Sequence, residues 1–159
     1  HTAGLVPLDT LLREERLLQF DRFDRDIATA LGERLVALAR SKGKPVTIQV
    51  SQGDTVLFRH ALPGASPEHA DWIRRKDNLV RRTGHSSFHT HNDVRQAGGD
   101  HDALPGLDMR DYAAHGGAFP IVVRGAGLVG TVTVSGLPGA DDHALVVAGL
   151  KAYLGVDES

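Results

Sequence analysis

The residue that most invites a chemical explanation is Lys76. At about 100° per residue, Trp72, Ile73, Leu79 and Val80 form one apolar stripe roughly 120° wide on a helix. Lys76 projects into the middle of that stripe, His69 lies on it, and Arg74 and Arg75 flank it. A lysine so placed reaches around its neighbours to water, pairs with an acid, or meets a bound anion. A second cluster is His85-Ser86-Ser87-Phe88-His89-Thr90-His91. On a helix, His85 and His89 share a face at i, i+4, the spacing for a metal or an axial haem position. The zinc-protease pattern needs Glu after its first histidine, where this chain has Ser86. With no evident third ligand, no metal is assigned here, and no nucleophile elbow marks Ser86 or Ser87.

Two further stretches stand beside turns. In His115-Gly116-Gly117-Ala118-Phe119-Pro120, paired glycines let the backbone approach a ligand or adopt positive φ, leaving N–H groups for an anion. They also suit a tight turn into a strand. Ser135-Gly136-Leu137-Pro138-Gly139-Ala140-Asp141-Asp142-His143 opens the last helix. Its two acids fit the positive end of the helix dipole, so capping explains them, and His143 is left without a structural reason.

The elements that must hold these residues follow from periodicity. Leu8 to Gln19 reads as a short amphipathic helix, and Leu18-Gln19-Phe20 as a brief extended piece. A longer helix starts near Asp24 and runs to about Ser41, with Ile27, Leu31, Leu35, Leu38 and Ala39 at helical spacing and Gly43 as the stop. Strands are expected over Val46–Ser51, Thr55–Ala61, Phe119–Arg124 and Leu128–Val134, paired as two hairpins. Ser66-Pro67-Glu68 marks the start of the third helix, which ends near Gly84. A fourth helix covers Ser86 to Gln96, and a last one Asp141 to Leu154. Thr131, Thr133 and Ser135 share one strand face, either covered by helices or used as a pocket wall. Hairpins separated by helices favour an antiparallel sheet covered by helices over a parallel fold.

Composition narrows the function. The chain has 159 residues, 24% charged and 41% hydrophobic, the usual size of a single domain over residues 1–159. Lys+Arg total 18 against 20 Asp+Glu, without the basic excess of a nucleic-acid binder. No apolar run approaches the roughly 20 residues that cross a bilayer. The absence of cysteine excludes disulfides, thiolate metal sites and thiol catalysis. Residues 1–6 lack the features of a secretory signal, and with Met109 the only methionine the native start is expected to be missing. A cytoplasmic protein is expected, bound to neither nucleic acid nor membrane.

A resemblance adds to this. Glu14-Glu15, Phe20 to Phe23, Ala61-Leu62-Pro63-Gly64, Trp72-Ile73-Arg74-Arg75-Lys76, Gly84-His85-Ser86-Ser87, Tyr112 to Ile121, Gly130 to Pro138 and Asp142-His143 resemble a small bacterial and fungal family of the haem-degrading domain superfamily. GlcG, HbpS and the C-terminal domain of PduO belong to that superfamily. The likeness spans about Leu8 to Leu150; the wider superfamily shares mainly the Lys76 position, the Gly-Gly-x-x-Pro-Ile stretch and the Gly-x-Val-x-Val-Ser-Gly strand.

The resemblance implies a profilin-like α/β/α sandwich with a five-stranded antiparallel sheet. It implies a homo-oligomer, from dimers up to roughly eight or ten subunits. It also implies haem binding with slow haem breakdown, and gives no role to His89, His91 or His101. The last helix is apolar on nearly every side, which calls for more than one neighbour, a second subunit among them.

The expected site lies between the third helix, the His115-Gly116-Gly117 turn and the Ser135 end of the last strand. Its ligand-binding residues are Trp72, Arg75, Lys76, His85, Ser86, His115, Gly116, Gly117, Ser135 and His143. Arg75 and Lys76 would meet propionates, and a histidine from 85, 115 or 143 would approach an iron. The ligand is then haem, a related tetrapyrrole or another anionic molecule. Against this stands an oligomeric adaptor without catalysis, a reading helped by an aromatic content of only 5%.

Overall fold

The computed structural model describes residues 5–156; most of the N-terminal stretch read above for a leader lies outside them. The elements are α1 (Leu8–Leu17), α2 (Arg25–Ser41), β1 (Thr47–Gln52), β2 (Thr55–Ala61), α3 (His69–Thr83), α4 (Ser87–Gln96), β3 (Ala118–Val123), β4 (Gly127–Ser135) and α5 (Gly139–Leu154). The four strands form one antiparallel sheet in the order β2-β1-β4-β3. Among the described residues no helix is long and apolar enough to cross a membrane.

Local chemistry sets the boundaries. The Asp24 side chain accepts the Ile27 N–H at 2.9 Å and starts α2. Gly84, at φ 76, ends α3 in the left-handed conformation. Ser66-Pro67-Glu68 forms a turn leading into α3 instead of its first helical residues: the Ser66 carbonyl accepts from His69 N at 3.1 Å. At the other end of the chain, α5 begins at Gly139, directly after Pro138 and two residues ahead of the acids.

The sheet has four strands, not the five expected. In the fifth place, beside β3, stands one residue: Phe20 donates its N–H to Val122 O at 2.8 Å and accepts from Arg124 N at 2.9 Å, a single parallel bridge. Leu18 closes α1 and Asp24 caps α2, so little chain is left to run alongside β3. Leu18 and Phe20 turn into the core instead.

Alternation along β1 and β4 gives the sheet two unlike faces. Ile48, Val50, Val132 and Val134 pack in one core with Leu31 and Leu35 of α2 and Leu145, Val146 and Leu150 of α5. At the α2–α5 crossing, a Cβ on Gly149 would sit 2.2 Å from Leu35 Cδ2, so only glycine lets Leu35 in. The apolar sides of α5 are covered within the chain, and its exposed positions include Ala140, Ala144, Ala148 and Ala152. The apolar character of α5 therefore needs no second subunit to explain it. The opposite sheet face carries Thr47, Gln49, Ser51, Thr131, Thr133 and Ser135, all buried, with α3 laid over it.

Candidate functional site

Lys76 reaches from α3 over the end of β4, and its surroundings leave it almost no water. Its Nζ donates to the Val134 carbonyl at 3.2 Å and to Asp142 Oδ2 at 3.3 Å. Both side chains of this ion pair are 2–3% exposed. Burial pulls the lysine below its ordinary range, and the Asp142 charge acts against that pull. Burial likewise pushes the Asp142 carboxyl up to about 6, opposed by Lys76 and by the Leu137 N–H, which Oδ1 accepts at 3.0 Å. The lysine in the apolar stripe is thus an ion-pair partner and not a free cation awaiting an anion. Asp142, read from sequence as a helix cap, is that partner.

The neighbouring glycines are occupied as well. Gly117 has φ +130; a Cβ there would fall 2.3 Å from Val134 O and 2.9 Å from Lys76 Nζ. A Cβ on Gly116 would fall 2.2 Å from the Gly139 carbonyl. The Gly117 carbonyl accepts from Val134 N at 3.0 Å. These two glycines serve the close approach of this turn to β4 and to the start of α5. The space expected for a ligand over them is filled by protein.

Beside the pair opens a cleft of about 350 Å³, walled by His69, Trp72, His115 and Ser135 and by the Gly136–Gly139 backbone, with Lys76 and Asp142 in its lining. His69 comes from the first turn of α3; its Nδ1 is 3.4 Å from Thr47 Oγ1. Burial and the nearby Lys76 hold His69 below its ordinary pKa, favouring the neutral imidazole at pH 7. The edge of Trp72 meets the His115 ring at a centroid distance of 5.3 Å. Two imidazoles, an indole and a hydroxyl thus surround a space whose buried charges, Lys76 and Asp142, pair with each other, with the exposed Glu68 at its edge.

The remaining expected residues go elsewhere. Arg75 lies over Trp72, 4.5 Å from the ring centroid, and donates to the carbonyls of Met109 at 2.6 Å and Tyr112 at 3.3 Å. It ties down the segment before β3 and does not line the cleft. His85 donates through Nδ1 to Glu15 Oε1 at 2.8 Å, and Ser86 caps α4 by accepting the His89 N–H at 3.1 Å. His143 donates through Nε2 to Glu14 Oε1 at 2.8 Å, and its ring lies 4.8 Å from that of Phe88. His85, Ser86 and His143 therefore face α1, and Glu14 and Glu15 are what they meet. His69 escaped the expected set although the same apolar stripe had marked it.

A second cleft, about 490 Å³, opens on the polar sheet face between β1, β2 and α3, with Arg59, Arg74, Arg81 and Asp77 in its walls. Asp77 is buried, accepts from Thr133 Oγ1 and, at 3.4 Å, from Gln49 Nε2, and burial pushes it up to about 6. The arginines are engaged: Arg59 with Gln49, Arg74 with Asp71 and Asp111, Arg81 with Gly53 and Asn78.

Residues 23–151 match the family described as haem degrading protein, HbpS-like. The chain belongs to this family. Its relatives include a UPF0303 protein of Streptomyces coelicolor, 45% identical over 97% of this chain and 98% of that one. The crystal structure of Ybr137w protein superposes with a TM-score of 0.84 at 29% identity, covering 94% of this chain and 88% of that one. The crystal structure of a PduOC:heme complex shares the fold, with a TM-score of 0.68 at 20% identity over 82% of this chain and 94% of that one.

Proposed function

We propose that this HbpS-like chain binds a planar small molecule, haem or a related tetrapyrrole, in the cleft beside Trp72. The observation that carries the reading is the pairing of two imidazoles, His69 and His115, with the Trp72 ring around one opening. Imidazole is a haem-iron ligand, and an indole offers a flat apolar contact. The propionates have no free cation here, because Lys76 is matched by Asp142 and Arg75 is held by carbonyls. They would point to solvent. Bound haem would supply redox chemistry at its iron; this chain would contribute the imidazoles of His69 and His115, an indole wall from Trp72 and a floor in which Lys76 and Asp142 pair with each other. Slow haem breakdown in a cytoplasmic setting belongs to the same proposal.

The cleft volume, about 350 Å³, lies near the lower end of the roughly 300–1,000 Å³ of small-molecule sites. A tetrapyrrole therefore needs a further wall, and the proposal supplies it with a neighbouring copy in a homo-oligomer. The competing adaptor without catalysis draws on the same closed floor. Titrating the purified protein with hemin, with sedimentation on the same sample, separates them. The expected result is a saturable Soret band on an oligomer, weakened about tenfold or more by His69→Ala or His115→Ala. A band that never saturates, or that both variants leave unchanged, overturns the reading.

A further inference from the structure

Three histidines widely spaced in sequence meet beside this cleft. His91 comes from α4, His101 from the turn that follows it, and His115 from the segment leading into β3. A ring nitrogen from each lies within 4.8 Å of the other two. Ring centroids are 4.3 Å apart for His91 and His101, 4.9 Å for His101 and His115, and 6.0 Å for His91 and His115. We propose that His91, His101 and His115 form a binding site for a first-row divalent cation, Zn²⁺ being the best match, with Asp102 orienting two of the rings.

The hydrogen bonds around the rings are those a metal site requires. His91 donates its Nδ1–H to the Ala114 carbonyl at 2.9 Å, which fixes the tautomer and leaves the Nε2 lone pair free. Asp102 spans the other two: Oδ1 accepts from His115 Nε2 at 2.9 Å, and Oδ2 lies 3.4 Å from His101 Nε2. A carbonyl or carboxylate on the second ring nitrogen is the usual support of a metal-bound histidine. His101 adds an independent sign. Its Nδ1 is buried and has no hydrogen-bond partner among the described residues, a cost that a metal bond would remove.

The donor set also selects the ion. Three neutral imidazoles suit zinc and its first-row neighbours, whereas calcium and magnesium prefer oxygen. Zinc holds nitrogen at about 2.0–2.1 Å, so the three rings must draw together on binding. The turn carrying His101 and the exposed Asp102 is the part free to do so, following Gly98 at φ 83. Three protein ligands leave a coordination position open. Because His115 also walls the cleft, a ligand there with a donor atom lies next to that position.

The site shares His115 with the haem reading, so His101 and His69, each belonging to one of them alone, tell the two apart. The test is Co²⁺ titration of the tag-free protein, followed by the d–d absorption of Co²⁺ and by its displacement with Zn²⁺. The expected result is saturable visible absorption bleached by stoichiometric Zn²⁺. Binding should fall about a hundredfold in His101→Ala and ten- to a hundredfold in Asp102→Asn, at a melting temperature unchanged without metal. His101→Ala should keep its hemin titration, and His69→Ala its cobalt band, so the two sites fail separately. No saturable Co²⁺ band in the wild type, or an unaltered one in His101→Ala, overturns the proposal.

Discussion

The two faces of the sheet are made by the same strands, one residue out of step, and they are buried by different means. On one face Ile48, Val50, Val132 and Val134 meet the leucines and valines of α2 and α5, and shape alone decides the fit. On the other, Thr47, Gln49, Ser51, Thr131, Thr133 and Ser135 are at most 5% exposed, yet polar, and α3 brings them a lysine and an aspartate. The first face gains free energy by excluding water. The second loses some by the same act, recovers it through hydrogen bonds, and places the cleft at its edge. Stability and chemistry are thus divided between the faces of one sheet.

The largest effect should come from splitting the buried pair. Lys76→Met leaves Asp142 without its partner at 2% exposure and should cost about 3–5 kcal/mol in urea unfolding. Lys76→Met with Asp142→Leu should recover most of that loss, since exchanging a whole buried pair for apolar groups is often close to neutral. Leu35→Ala, on the apolar face, should cost about 2–5 kcal/mol with no rescue by any charge change. A double variant no better than Lys76→Met would show that Asp142 is held by more than the lysine. It would also blur the contrast between the faces.

The second effect is a dependence on pH that only the polar face has. Burial raises Asp77 from its ordinary value to about 6, against the pull of Thr133 and Arg81. Between about pH 4 and 6 the folded state therefore holds more protons than the unfolded one. The stabilising contribution is complete below that window and is lost as pH rises through 6. Asp77→Asn fixes the neutral form. It should match the wild type near pH 4 and become the more stable protein by about 2–3 kcal/mol at pH 7. Asp142 shifts in the same sense in both proteins, and lowered His69, His89 and His91 act in both, so the difference reports Asp77 together with the neighbouring Lys76, which its charge supports. Urea unfolding at both pH values reads it, and parallel curves would refute the burial cost.

What could be read in the sequence was whatever repeats locally. Alternation in Val46, Ile48 and Val50 and along Leu128 to Val134 marked the hairpins, and Asp24, Gly84 and Ser86 marked helix ends. The position of Lys76 in an apolar stripe left it water, an acid or an anion to meet. Which partner was not readable, because Asp142 lies 66 residues away and had a sufficient reason to be there as a cap. For a similar reason His143 was unexplained and His85 was read with His89 as a candidate ligand pair: their acids, Glu14 and Glu15, sit on α1, 129 and 70 residues distant. His91, His101 and His115 follow no motif, since the irregular segment that joins them carries no periodicity. The missing fifth strand is the reverse case, a family expectation that seven residues between two helices could not fulfil.

The smallest effect should fall on the outside of the molecule, where the same kind of pairing meets water. Glu15 takes the His85 Nδ1–H at 2.8 Å and the Ser86 N–H at 3.2 Å, joining α1 to the start of α4. The geometry is tighter than that of Lys76 and Asp142, but the His85 side chain is 43% exposed. Water reaches the pair from the His85 side, although Glu15 is only 11% exposed, and salt screens their attraction. Glu15→Gln keeps an oxygen for the Ser86 N–H, removes the charge, and sets an amide N–H against His85 Nδ1, which accepts it once the ring proton sits on Nε2. It should therefore cost less than about 1 kcal/mol in urea unfolding, and less still at 0.5 M salt. Distance alone would rank this pair above the buried one; burial ranks it below. A loss from Glu15→Gln as large as that from Lys76→Met would show that packing of α1, and not the exclusion of water, decides what a charged pair contributes here.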